Sequence, residues 1–324
     1  MSESHSQNFN HLKIHTQYSI CEGAARIDDL QEYSKKNKIK SLGLCDTSNL
    51  CGALEFAEKI SKSGTQPIIG TQINFKIGDT TGLLPLFALN EAGYKNIIEL
   101  SSFSYLKNDE LSDPHVDFEL LLNNSEGVAV FSGTVFGLFG KLFDKGKFTE
   151  IDEIYSKIKK SFGDRFYIEI QRHNDQNEIG FEKFNLKKSL DLEIPIIATN
   201  EVFYLDKEMH EAHDALICIR NKTYVNEKNR LRFTDQHYLK TNSEMSELFA
   251  DLPEALENNY NFPLRCSYRP LFSNPILPNI SSDKDGNADE ILKKDSIDGL
   301  KVKFNKVFNL DNEDLENNNS YREY

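Results

Sequence analysis

Cysteine is scarce in this chain, apolar runs are short, and positive charge is in deficit. Only five of the 324 residues are cysteine (Cys21, Cys45, Cys51, Cys218 and Cys266). The number is odd and no CxxC pair occurs, so free thiols in a reducing compartment are expected rather than a disulfide framework. No stretch approaches the ~18–20 apolar residues of a membrane helix. The opening MSESHSQNFN lacks a basic region followed by an apolar one, so no secretory signal is read there. The expectation is a soluble, cytoplasmic protein with no membrane partner. Lysine and arginine number 38 against 51 acidic residues, a net charge of −13. A stand-alone nucleic-acid binder carries a basic footprint, so no direct nucleic-acid contact is expected here.

What is present is ordinary globular composition, 39% hydrophobic and 27% charged. Short β-branched runs alternate with amphipathic charged stretches. Strands are expected at 11–14, 41–45, 68–75, 83–89, 128–131, 166–170 and 195–199. Helices fall between or after them, at 26–37, 53–63, 93–105, 150–160 and 181–190. Such alternation implies parallel βαβ units, and seven of them suit a (β/α) barrel. Helices are further expected at 209–219, 243–260 (after the capping signals Thr241-Asn242-Ser243) and 288–307. Residues 271–278 carry prolines and look like an extended linker, 281–287 like a loop, and 309–319 like an acidic, Asn-rich tail. The expected division is therefore a disordered tail at 1–8, a barrel with its helical extension at 9–270, and a linker with a helical connector at 271–324.

Barrel chemistry gathers at the carboxyl ends of the strands. In order these positions offer His15, Asp46-Thr47, Gln72, Ser132-Gly133-Thr134, Gln171-Arg172-His173 and Asn200-Glu201, with Glu22 in the loop at 18–23. His15, Glu22 and Glu201 are fair ligands for zinc or manganese, although any barrel mouth displays polar groups. His210 and His213 stand three apart without an HExxH carboxylate, and packing is the better expectation. The glycines of GTVFGLFG at 133–140 have the wrong spacing for a dinucleotide fingerprint.

The run FNHLKIHTQYS at 9–19, closing in Glu22-Gly23-Ala24, resembles the opening motif of the polymerase and histidinol phosphatase (PHP) domain. More narrowly it resembles the N-terminal PHP domain of bacterial DNA polymerase III α subunits. DTSNLCGALEF (46–56), PIIG (67–70), FSG (131–133) and ATNEVFY (198–204) continue the likeness. AHDALICI (212–219), RLRF (230–233), YLK (238–240) and ELFADLPEALE (247–257) carry it into the polymerase type. The resemblance implies a PHP-type distorted (β/α)7 barrel followed by a helical connector. It also implies that the chain is a truncated piece of a longer polymerase, with 271–324 the linker and truncated start of the palm region, and the paired palm aspartates and Mg2+ beyond Tyr324.

Against the family's His, Asp, Glu and Cys ligands, this sequence has substitutes. Lys13 replaces the first His of an HxH pair, and His15 retains the second. Glu22 stands for Asp, Thr47 for His, Gln72 for Glu and Thr134 for Cys, while Glu201-Val202-Phe203 stands for Asp-x-His. A protonated lysine has no lone pair and Phe203 offers nothing to a metal. The expectation is a degenerate site without catalytic residues or resident metal, in which Lys13 supplies positive charge to Glu22 or Glu201. Expected partners are the rest of the α subunit and its proofreading exonuclease subunit. The alternative is a phosphoesterase or 3′–5′ exonuclease using Zn2+ or Mn2+ on His15, Glu22 and Glu201. His115 and His173 are weaker candidates for a role.

Overall fold

The computed structural model describes residues 9–108, 112–275 and 287–308. Among the described residues, nine strands run β1 (Lys13–Ile14), β2 (Ser41–Thr47), β3 (Gln66–Ile77), β4 (Thr80–Ala88), β5 (Val116–Asp117), β6 (Val128–Phe131), β7 (Phe166–Ile170), β8 (Ile196–Ala198) and β9 (Glu201–Val202). Their order is β8-β7-β6-β4-β3-β2-β1-β9, with β5 paired to β3 off this path. β8 pairs with β7 and β9 pairs with β1, yet only Thr199 and Asn200 separate β8 from β9. The chain itself therefore joins the two ends of the curled sheet. Counting β8 and β9 as one bent strand, the sheet has seven positions, the expected distorted α/β barrel.

The expectation of wholly parallel pairing is corrected at one place. β3 and β4 form an antiparallel hairpin, and β4 also runs antiparallel to β6. The reason is length. Gly78 and Asp79 alone separate β3 from β4, and Gly78 takes φ +55°, so a hairpin turn fits where a crossover helix cannot.

The flanking helices follow their apolar spacing. Helix Phe148–Phe162 buries Ile151, Ile154, Tyr155, Ile158 and Phe162, one stripe at helical period. Helix Ile27–Asn37 buries Ile27, Leu30 and Ser34, with Asp28 and Asp29 in its first turn and Lys35 and Lys36 in its last, as the helix dipole favours. Helix His210–Asn221 lies close to the expected bounds. The single helix expected at 243–260 is two, Asn242–Leu248 and Pro253–Asn261. Pro253 cannot donate to the preceding turn, and it opens the second helix instead. Thr241 and Glu244 form a capping box at the start of the first.

Inside the barrel, Leu12, Cys45, Ile68, Phe87, Ala129, Phe131, Tyr167 and Ile197 meet Phe262 and Cys266 in one apolar cluster. Phe262 lies 5.1 Å from Phe131, 5.6 Å from Phe87 and 5.7 Å from Tyr167, ring to ring. It plugs the amino-terminal end of the barrel. Asn259, on the helix before it, accepts from the Asn10 N–H at 2.8 Å and donates to the carbonyls of Asn10 and Ala198. The chain thus folds back from position 259 onto the start of β1. Two compact units result, dividing between Leu271 and Phe272. The second contains helix Ala288–Phe308. The expected tails at 1–8 and 309–319, residues 276–278 of the expected linker and 281–286 of the expected loop lie outside the described residues.

Candidate functional site

Strand alternation builds the site. Side chains two apart share a face, so the face that carries Cys45, Ile68, Tyr167 and Ile197 inside the barrel next presents Thr47, Gln72, Glu169 with Gln171, and Thr199 with Glu201. The lower layer is apolar and the upper layer is polar. Lys13 and His15 enter the same layer from β1.

Lys13 is fully buried, and its Nζ lies 3.3 Å from Glu169 Oε1 and 3.3 Å from Glu201 Oε1. Burial alone pulls the ammonium pKa down, but the two carboxylates outweigh it and hold it above the ordinary value. Glu201 is held well below the usual carboxylate range: burial opposes ionisation, and Lys13 and then His15 overcome it. His15 Nε2 lies 3.2 Å from Glu201 Oε1, and its Nδ1 is 3.4 Å from the hydroxyls of Ser19 and Thr47. The Gln72 amide donates to the same Glu201 oxygen and to Thr47 Oγ1, each at 3.3 Å. Phe203 lies against His15 at 4.7 Å between ring centres.

Of the two carboxylates expected to meet Lys13, only Glu201 does. Glu22 turns to Arg220 at 2.8 Å. Its loop is fixed by Gly23, where a Cβ would come within 2.1 Å of the Thr16 carbonyl oxygen. Asp46 is wholly engaged, accepting from the Thr16 N–H at 2.7 Å, the Thr16 hydroxyl at 2.8 Å and the Ser19 hydroxyl at 2.7 Å. Thr134 lines the mouth with Glu22, Gln72, Glu201, Phe203 and Phe233, and its Oγ1 accepts from the Phe136 N–H.

His173 stands directly behind Glu201. Its Nε2 accepts from the Glu201 N–H at 3.2 Å, and its Nδ1 lies 3.0 Å from Glu178. It stacks on His237 at 4.0 Å, whose Nδ1 donates to the Glu201 carbonyl at 3.1 Å. Burial lowers His173 to about 3 and raises Glu178 to about 7. His210 and His213 bond to different carbonyls, those of Phe233 and Glu22, so they do not converge. His115 donates to the Asp113 carbonyl and takes no part.

Glu169, Arg220, His237 and Lys240 escape sequence reasoning. Glu169 alone left a trace, a carboxylate in the otherwise apolar strand FYIEI. It accepts from Gln171 at 2.8 Å and from the Thr199 hydroxyl. Arg220, His237 and Lys240, whose Nζ donates to Asn200 Oδ1 at 3.1 Å, reach the site from sequence-distant segments, and no strand or helix period marks them as site residues.

The donors do not fit a metal ion. An ammonium occupies the charge position between Glu169 and Glu201, Phe203 covers His15, and Glu22 is held by Arg220. Among the described residues, no group of three or more His, Cys, Asp or Glu side chains is placed to hold a metal.

The fold is an α/β barrel with a histidine and carboxylates at its strand ends around a buried lysine. The chain belongs to the PHP domain family, whose model matches residues 11–173. Among curated proteins it is similar to the DNA polymerase III subunit alpha of Caulobacter vibrioides, 36% identical over 312 residues, covering 94% of this chain and 27% of that protein. The Rickettsia conorii subunit is 36% identical over 95% of this chain and 26% of its own length. That of Vibrio cholerae is 30% identical over 93% and 26%. The chain therefore spans about a quarter of the length of these relatives. A solved amidohydrolase from Chromobacterium violaceum overlays 60% of this chain and 87% of its own at a TM-score of 0.41 and 10% identity, too slight a likeness to argue from. No helix among the described residues is long and apolar enough to cross a membrane.

Proposed function

We propose that this chain acts in DNA replication as the PHP portion of a polymerase III α subunit in the cytoplasm. In this reading it is a scaffold: it carries no resident metal, hydrolyses no phosphoester, and docks the proofreading exonuclease subunit. The polymerase role is supported by relatives that match nearly the whole chain. The observation that carries the scaffold reading is Lys13, buried 3.3 Å from both Glu169 and Glu201. A cation built into the fold is shared by those carboxylates without an exchangeable ion, and it blocks approach to them. A lysine there supplies charge but no electrophile and no bound water to ionise.

Metal analysis of the purified chain, with assays for phosphate release from pyrophosphate and from DNA 3′ ends, tests the reading. The expected result is neither stoichiometric metal nor turnover. Stoichiometric zinc or manganese, with turnover abolished by His15→Ala, overturns it in favour of a phosphoesterase or exonuclease.

A further inference from the structure

We infer that the helix end and loop at 219–232 form the surface on which the exonuclease subunit docks, through an acidic segment with apolar anchors. The inference rests on the docking role proposed above. Residues 220–232 contain five cations (Arg220, Lys222, Lys228, Arg230 and Arg232) and one carboxylate, Glu227, in a chain whose net charge is −13. The same stretch exposes apolar side chains: Ile219 is 69% exposed, Tyr224 75%, Val225 59% and Leu231 43%. Isolated exposed aliphatics need no explanation, but several on one short segment mark an interaction surface.

The segment is built rather than slack. Arg230 clamps both oxygens of Asp214 at 2.6 Å and donates to the Val225 carbonyl at 3.1 Å. Arg220 holds Glu22 at 2.8 Å. The Thr223 N–H closes on the Cys218 carbonyl at 3.0 Å, and Tyr224 and Glu227 bond each other through the Tyr224 N–H and Glu227 Oε1 at 3.1 Å. Two arginines are thus spent on anchoring the loop. Arg232, 60% exposed, also pairs with Asp214 at 3.8 Å, and Lys222 and Lys228 are left facing solvent. A preorganised surface loses little entropy when a partner binds.

Charge complementarity selects an acidic occupant. The exposed isoleucine, valine and leucine select a polypeptide over a nucleic acid, because a phosphodiester backbone has nothing to place on aliphatic side chains. The surface also adjoins the barrel mouth, since Glu22 and Phe233 line that mouth. Its use would cover the rewritten site.

The test measures binding of the purified exonuclease subunit of the same organism to this chain by interferometry. Two variants are compared with the unaltered chain: Lys222→Glu/Lys228→Glu and Tyr224→Ser/Val225→Ser. Both alter exposed side chains, and thermal melts confirm folding. The expected result is binding that weakens with added salt and falls about tenfold or more in each variant. Equal affinity in folded variants overturns the surface while leaving the docking role intact. No binding by the unaltered chain overturns the docking role and the surface with it. Binding of oligo(dT) by the unaltered chain, lost in the charge variant, overturns the polypeptide occupant in favour of a single strand.

Discussion

Lys13 and Glu201 are register partners on adjacent parallel strands, β1 and β9, and their charged ends meet at 3.3 Å inside the barrel. The pairing is a consequence of backbone geometry. Facing positions on neighbouring strands send their side chains to the same side of the sheet. A lysine and a glutamate placed there are therefore committed to each other. Glu169, from β7, closes the group.

Replacing Lys13 by methionine should cost about 3–5 kcal/mol of stability, because two buried carboxylates lose their shared cation. An exposed lysine in that place would cost within about 0.5 kcal/mol. Urea denaturation near neutral pH, read by far-ultraviolet circular dichroism, distinguishes the two. Loss at the smaller figure would show the pair to be ornamental.

Gln72→Glu should place a second carboxylate where the amide now lies 3.3 Å from Glu201 Oε1. Like charges at that distance cannot both ionise cheaply. The variant should be less stable than the unaltered chain by about 2 kcal/mol or more at pH 8, and the deficit should shrink as acid protonates one of the two. If added zinc or manganese restores the melting temperature at pH 8, a metal site is latent despite Lys13, and the scaffold reading weakens.

Much of this was legible in the sequence because strand periodicity is a local property. The seven strand positions, and His15, Gln72 and Glu201 at strand ends, follow from short windows; the reading of Lys13 as a replaced ligand came from the family resemblance. Strand identity does not state direction, so the antiparallel hairpin escapes the expectation; the seven residues 76–82 between the two expected strands are nonetheless too few for a crossover helix. Glu22, one of the two alternatives for Lys13, pairs instead with Arg220, which arrives from helix His210–Asn221, far along the chain. The break at Pro253 was overlooked in favour of continuous apolar spacing. His237 and Lys240 were invisible as site residues, since coil segments carry no period from which to read a direction.

Phe262→Ala should destabilise the barrel by about 3–5 kcal/mol through lost apolar contact and a residual cavity. The side chain is fully buried among Phe87, Phe131 and Tyr167. Equilibrium denaturation measures the loss. A cost under about 1 kcal/mol would mean that the helical extension sits on the barrel without plugging it.

The pair behind Glu201 gives the sharpest pH prediction. His173 is lowered from 6.5 to about 3 by burial, so its contribution is present above pH 6.5 and lost as pH falls toward 3. Glu178 is raised from 4.5 to about 7, also by burial, so it stabilises in the opposite direction, gaining as pH falls from 7 to 4.5. Between pH 4.5 and 6.5 the unfolded pair carries one proton, on the histidine. The folded pair also carries one, on the glutamate, and the two slopes cancel. Glu178→Gln removes one side of the balance. Relative to the unaltered chain, the variant should lose about 1.4 kcal/mol per pH unit on acidification through that window. His11 and His237 titrate alike in both proteins and drop out of the difference. Denaturation midpoints at several pH values give the slope directly. Parallel curves for the two proteins would show that Glu178 and His173 do not share this proton.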